Sequence, residues 1–503
     1  MSSVKRRLIS RRGLRLTFAV AALGLGAGLS SAIGAHASTL VQPTVTLTQV
    51  SHDTGVNAGE GWVVTDPRNG DVVVDWLATT DVVGDGSSPL NLTRGYCGLG
   101  VSSDGGKTWS TKPLPWAELT QTVNPPSPLP PVGPVPGVAV GPNHDQPPIC
   151  GDPVLGVSQG GTIYAGAAQV GSPSFEQDLV STNDGWSWSD PTEPYGVDQT
   201  VAGAPGGLQT SGRPPIGEGR AYMAVDPQTG VVSWNSQEDG AVEGRFLVVS
   251  TDDGQTWSTP EPLDPDVQSA SAGPQSSAFG VIGVVYNIDE TSNSYKTSAS
   301  QIPCPGTETQ CTVFETTTAA QGWGLTWTRH FMPVVDQSSS TAGGLYSGVS
   351  SVAADPTKPG HFAVLSSVGA NFEIWVTSNS GNTWAKTEVI APPKSSDQFG
   401  KPGIAYSRNG ALGVVWRTVY PAGDYDVSAI VSRDGGTRWS DVVLLTKLGP
   451  APDNMADELP GDDGDWGLDM DTTSLNTVWG DARTGIRQLW FARLNYTNLT
   501  MNP

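Results

Sequence analysis

Residues 217–222 read Gly-Glu-Gly-Arg-Ala-Tyr, with an acid, a base and a phenol at alternate positions. Side chains alternate across an extended strand, so Glu218, Arg220 and Tyr222 would share one face. Such a trio offers a proton-transfer carboxylate, a bidentate anchor for an acidic group and a hydroxyl. The competing reading is a hydrogen-bonded polar plug. A second stretch, 461–466, reads Gly-Asp-Asp-Gly-Asp-Trp. Asp462, Asp463 and Asp465 make an oxygen-rich turn that reads first as a solvated acidic turn, with a structural Ca²⁺ site as the alternative. No other cofactor is expected, and the widely scattered His52, His144, His330 and His361 argue against a histidine-rich metal centre.

These residues must be positioned by something, and the chain advertises it. The pattern Ser/Thr-x-Asp/Asn-x-Gly-x-x-Trp occurs at 102–109, 181–188, 250–257, 377–384 and 432–439, with a degraded copy at 318–327. Successive Trp residues stand 79, 69, 70, 57 and 55 apart, the mark of one supersecondary unit with variable loops. Each residue type has a reason. The Asp or Asn accepts hydrogen bonds from backbone amides that follow it. The Gly supplies positive φ, the hydroxyl ties strand to turn, and the Trp buries a large apolar surface. The motif reads as a fold fastener, not as the reacting centre.

Five copies in register resemble the Asp-box (BNR) repeats of the sialidase-like β-propellers, over residues 43–494. The resemblance implies an all-β fold, a single propeller of four-stranded blades. Counting first strands gives seven, starting near 61, 153, 220, 279, 350, 403 and 466, with six as the alternative. The last unit lacks a fourth strand. The orphan run 43–50 would fill that place and remove a free sheet edge. In this architecture the recurrent turns share one face, while the strand two-to-three loops and blade links share the other, where function usually lies. Asp145 joins Glu218, Arg220 and Tyr222 there as a candidate catalytic residue, and Glu60, Arg94 and Arg417 are candidate substrate contacts. The family implies glycan hydrolysis through an arginine triad, a Tyr–Glu pair and an acidic Asp. Its Arg-Ile-Pro motif is absent here, so Arg94, Arg220 and Arg417 qualify by position alone.

The remaining features bound the setting. Residues 1–37 read as an export signal: Ser10-Arg11-Arg12-Gly13-Leu14 resembles a twin-arginine motif, with a plain Sec signal as the alternative. Cleavage after Ala37 removes six basic and no acidic residues, taking the formal net charge from −22 to −28. That disfavours nucleic acid and anionic membranes as partners, and no later run is apolar enough to span a bilayer. With 62 Gly, 40 Pro and only 15% charged residues, the chain is loop-rich β protein. Four cysteines in an exported chain suggest two disulfides, Cys304–Cys311 and Cys97–Cys150, against free buried thiols. The proline-rich run 124–137 reads as a rigid surface insertion. The expectation is a secreted, monomeric glycoside hydrolase acting on an extracellular polysaccharide or glycoconjugate. A polysaccharide lyase and a non-catalytic glycan- or protein-binding propeller are the alternatives.

Overall fold

The computed structural model describes residues 43–52, 57–79, 95–114, 149–170, 175–189, 194, 221–238, 244–258, 261–262, 275–291, 303–334, 351–369, 371–393, 398–420, 425–449, 467–481, 483–485 and 487–502. The export-signal expectation for 1–37 and the insertion at 124–137 lie outside these residues. Residues Pro43–Pro503 form one compact unit.

The unit is seven antiparallel sheets. The first strand of the chain is β1 (Val45–Gln49). Blade 1 is β2 (Asn57–Thr65), β3 (Val72–Thr79), β4 (Gly95–Ser102) and β5 (Ser110–Pro113). Blade 2 shows β6 (Ile149–Val157), β7 (Ile163–Val170) and β8 (Phe175–Ser181) among the described residues. Blade 3 is β9 (Ala221–Val225), β10 (Val232–Glu238), β11 (Gly244–Ser250) and β12 (Glu261–Pro262). Blade 4 is β13 (Gln275–Ala278), β14 (Val281–Asp289), β15 (Gln310–Thr318) and β16 (Thr328–Phe331). Blade 5 is β17 (Ser351–Ala354), β18 (Phe362–Val368), β19 (Asn371–Thr377) and β20 (Ala385–Ile390). Blade 6 is β21 (Gln398–Tyr406), β22 (Leu412–Val419), β23 (Tyr425–Ser432) and β24 (Val443–Gly449). Blade 7 is β25 (Leu468–Met470), β26 (Ser474–Asp481) and β27 (Gln488–Asn495), and β1 supplies its outer strand.

The inner strands touch in a closed circuit, β2–β6–β9–β13–β17–β21–β25 and back to β2. Seven buried apolar layers fill the seven gaps between adjacent blades. Strand alternation explains this: one face of each blade feeds the layer before it and the other the layer after. Seven blades and closure by an N-terminal strand agree with the sequence reading. β1 pairs antiparallel with β27, Val45 opposite Leu494 through Gln49 opposite Trp490.

The recurrent turns join the third and fourth strands and repeat one set of bonds. In blade 1 the Gly106 amide donates to Ser102 Oγ at 2.8 Å, and Asp104 Oδ1 accepts from the Lys107 and Thr108 amides, each at 2.9 Å. The Gly185, Gly254, Gly381 and Gly436 amides donate to Ser181, Ser250, Thr377 and Ser432 in the same way. The degraded copy is corrected in detail. Its hydroxyl–glycine pair is Thr317 with Gly324, at 2.9 Å, one strand residue earlier and two later than Thr318 and Gly322.

The turn also does something that spacing does not reveal: it seats its glycine against the preceding blade. A Cβ on Gly106 would sit 2.0 Å from the Phe491 ring of blade 7, and one on Gly381 2.6 Å from Phe314 of blade 4. Trp109 and Trp384 meet the same two rings edge-on, with centroids 5.1 and 5.2 Å apart. Cys304 and Cys311 are disulfide-bonded as expected. Cys97 is disulfide-bonded too, while the side chain of Cys150, its expected partner, lies outside the described residues. Among the described residues no helix is long and apolar enough to cross a membrane.

Candidate functional site

Arg68, in the β2–β3 turn, donates to Asp184 in the recurrent turn of blade 2, so these two kinds of turn share one face. The β22–β23 and β26–β27 connections therefore open on the opposite, loop face. There the ends of blades 6 and 7 gather Arg417, Tyr425, Thr446, Asp481, Arg483 and Arg487.

Asp481 ends β26 and is almost wholly buried. Its Oδ1 accepts from the Arg483 amide at 2.8 Å and its Oδ2 from Arg483 Nε at 2.7 Å, with Arg483 Nη2 and Trp479 Nε1 also on Oδ2. Burial pushes this carboxyl up, but the bonds from Arg483, the nearby Tyr425 hydroxyl and the Arg483 charge outweigh it, and the group ends below the ordinary range. Arg483 is itself held. Its Nη2 donates to Thr446 Oγ1 at 2.8 Å, and its guanidinium lies 4.3 Å from the Trp490 ring centre.

Arg417, on β22, is 6% exposed and stacks 5.0 Å from the ring centre of Tyr425, which is 4% exposed. Burial lowers the Arg417 guanidinium to about 10, with the Arg487 charge acting the same way against Tyr425 and Asp481. It stays a cation at neutral pH. Burial, then the Asp481 charge, raises the Tyr425 phenol, keeping it a neutral donor. Its hydroxyl stands close enough to Asp481 for each to shift the other. A buried cation beside a neutral hydroxyl and a fixed carboxylate can bind an anionic group and deliver or accept a proton next to it.

Glu60 follows Gly59, a blade 1 residue beside Arg487. It lies in a bulge of β2 between Gly59 and Trp62, with φ at 50°. That is the left-handed region, a strained setting for a glutamate. The Arg487 guanidinium carbon is 3.3 Å from where a Cβ on Gly59 would stand, so a bare backbone lets the arginine in. Equivalent bulges occur in β6 between Gly151 and Val154 and in β21 between Gly400 and Gly403.

Of the residues singled out from sequence, Arg417 falls in this cluster, with Arg487 close enough to act on its charge. Tyr222 lies elsewhere, in β9 opposite Asn235, buried, its carbonyl accepting from Gln275 Nε2 at 2.7 Å. Glu218, Arg220, Asp145, Arg94, Asp462, Asp463 and Asp465 lie outside the described residues. Among the described residues no group of three or more potential metal ligands gathers. Sequence reasoning missed Asp481, Arg483 and Arg487. The signal was Trp479-Gly-Asp-Ala-Arg483, charge packed around a hairpin that lacks the recurrent turn's glycine pattern.

No family model and no curated protein matches the sequence. Solved structures similar to this chain include a protein of unknown function from Dyadobacter fermentans, 14% identical, covering 77% of this chain and 98% of that one, with a TM-score of 0.45. A Trypanosoma rangeli sialidase bound to the inhibitor DANA is 12% identical, with a TM-score of 0.43, over 78% of this chain and 60% of its own. This chain therefore spans less than two thirds of that sialidase. An ulvan lyase bound to a glucuronate–sulfated-rhamnose repeat is 11% identical, over 88% of this chain and 95% of its own, with a TM-score of 0.43. The propeller itself rests on this chain's own sheet order.

Proposed function

We propose that the protein is a secreted carbohydrate-active propeller that takes an acidic extracellular polysaccharide or glycoconjugate on its loop face and hydrolyses a glycosidic bond there. One observation carries the reading: Arg417, Tyr425, Asp481 and Arg483 meet where two blades present their loops, pairing a buried cation with a phenol and a fixed carboxylate. Arg417 would hold the acidic group of the sugar, and Tyr425 with Asp481 would serve the bond. Glu218, Arg220 and Asp145 remain proposed contributors. The near-complete burial of Arg417 and Tyr425 favours a second reading, a glycan-binding propeller without turnover.

The test uses residues 38–503 against acidic polysaccharides and sialylated glycans, following new reducing ends and ultraviolet absorbance from unsaturated uronates together. Reducing ends that fall at least 100-fold in Tyr425→Phe and in Glu218→Ala support hydrolysis. Absorbance rising with them makes the enzyme a lyase. Saturable binding without products leaves the binding reading, and no interaction with any acidic glycan sinks both.

A further inference from the structure

The recurrent turn of blade 6 departs from its own pattern at two places. The second and seventh motif positions are Ser103 and Thr108 in blade 1, and Ser or Thr again at 182, 187, 251, 256, 378 and 383. In blade 6 they are Arg433 and Arg438. The turn does not need arginine there. Thr108 Oγ1 and Thr256 Oγ1 donate to the turn aspartate in blades 1 and 3, and in blade 6 Arg438 Nε makes that bond to Asp434 Oδ2 at 2.8 Å.

Both arginines are exposed, and they line one depression of about 640 Å³ together with Asp434, Leu499, Thr500 and Met501. A guanidinium carries five N–H donors in a rigid fork. One on Arg433 goes to the Thr497 carbonyl at 2.7 Å and one on Arg438 to Asp434, which leaves the rest for a ligand. The Asp434 charge is answered within the turn. Its Oδ1 accepts from Ser432 Oγ and from the Thr437 and Arg438 amides, and its Oδ2 from Arg438. Lys358, paired with Asp355, has its Nζ 3.5 Å from where a Cβ on Gly435 would stand, so a third cation borders the turn. Residues 38–503 carry a formal net charge of −28, so the molecule as a whole repels anions and only a local cluster can hold one.

We propose that this depression, on the face opposite the loop cluster, binds a tetrahedral oxyanion of the sulfate or phosphate type. Two guanidinium forks and the Thr500 hydroxyl offer more donors than the two oxygens of a carboxylate take up, and three terminal oxygens use more of them. The oxyanion comes either as an ester on a polysaccharide or as a free ion. The site stands apart from the chemistry of the loop face.

Calorimetric titration of residues 38–503 at low salt with dextran sulfate and with inorganic sulfate tests it. Saturable binding is expected, with carboxymethyl dextran much weaker. Arg433→Ser combined with Arg438→Thr installs the residue types that the other turns carry, and an unchanged melting temperature will show the fold intact. This double variant should weaken binding about ten-fold or more. Lys107→Ser, which removes one cation from the blade 1 turn, should leave it unchanged. Dextran sulfate binding tighter than inorganic sulfate assigns the oxyanion to a polymer, and equal affinity assigns it to a free ion. The proposal is overturned by no saturable binding of either, by wild-type affinity in the double variant or by an equal loss in Lys107→Ser. Carboxymethyl dextran binding as tightly as dextran sulfate overturns it too. Cleavage of acidic glycans plays no part in the readout, and binding at the loop face would survive the double variant, so the two readings fail separately.

Discussion

Asp178 shows how far one residue can set the behaviour of a sheet. It lies in the middle of β8 opposite Gly166, fully buried, with neither carboxyl oxygen hydrogen-bonded. Burial raises its ionisation well above the ordinary carboxylate range, so the folded protein holds the acid neutral. The folded state then keeps a proton that the unfolded chain releases near pH 3.9. The stability this contributes is complete below that value and is lost as pH rises through the folded-state pKa. Asp178→Asn removes the ionisation. The gap in unfolding free energy between variant and wild type should widen in the variant's favour from about pH 4 upward, by up to ~1.4 kcal/mol per pH unit. Urea unfolding at several pH values checks this, and a gap that stays flat shows that Asp178 ionises freely.

Among elements, the recurrent turn has the clearest physical content. Gly106 takes φ at 84° and also leaves room for Phe491, whereas Gly70, at φ 81°, has no neighbour within 4 Å of a would-be Cβ. The two positions separate backbone cost from close approach. Gly70→Ala should cost about 1 kcal/mol through conformation alone, and Gly106→Ala about 2–4 kcal/mol with overpacking added. Thermal unfolding of the pair decides, and equal losses would mean the inter-blade contact carries nothing. The turn was legible because Ser, Asp, Gly and Trp stand at fixed offsets within eight residues. Its role as a clamp was not, because Phe491 is 385 residues from Gly106 and local spacing carries no trace of that pairing. The site divides the same way. Arg417 could be placed from its position near a strand end. Its neighbours Asp481 and Arg483 could not, since only the packing of β22 and β23 on β26 brings them to Tyr425.

For the whole molecule, closure depends on β1. It covers the outer edge of β27, Thr48 Oγ1 donates to the Gly106 carbonyl at 2.6 Å, and Trp109 Nε1 donates back to Thr48 at 3.1 Å. One short strand thus holds the outer edge of the last blade and the turn of the first. A chain beginning at Ser51 should lose the single cooperative unfolding transition and associate through the exposed β27 edge. Size-exclusion chromatography and calorimetry report both effects, and a synthetic 43–50 peptide should reverse them. A monomer with an unchanged melting transition would show that the apolar layer between blades 7 and 1 closes the ring unaided.

The clamps all point one way round. The turn glycines of blades 2, 3, 4, 5 and 6 each press on the blade before them, and that of blade 1 presses on blade 7. During synthesis, blades 2 to 6 each meet a neighbour already made. Blade 1 alone must wait for the far end of its own chain. A ribosome has to pass Phe491 before the earliest turn can lock, so the first blade built is the last one secured. A premature stop anywhere before that codon would unfasten both ends of the protein at once.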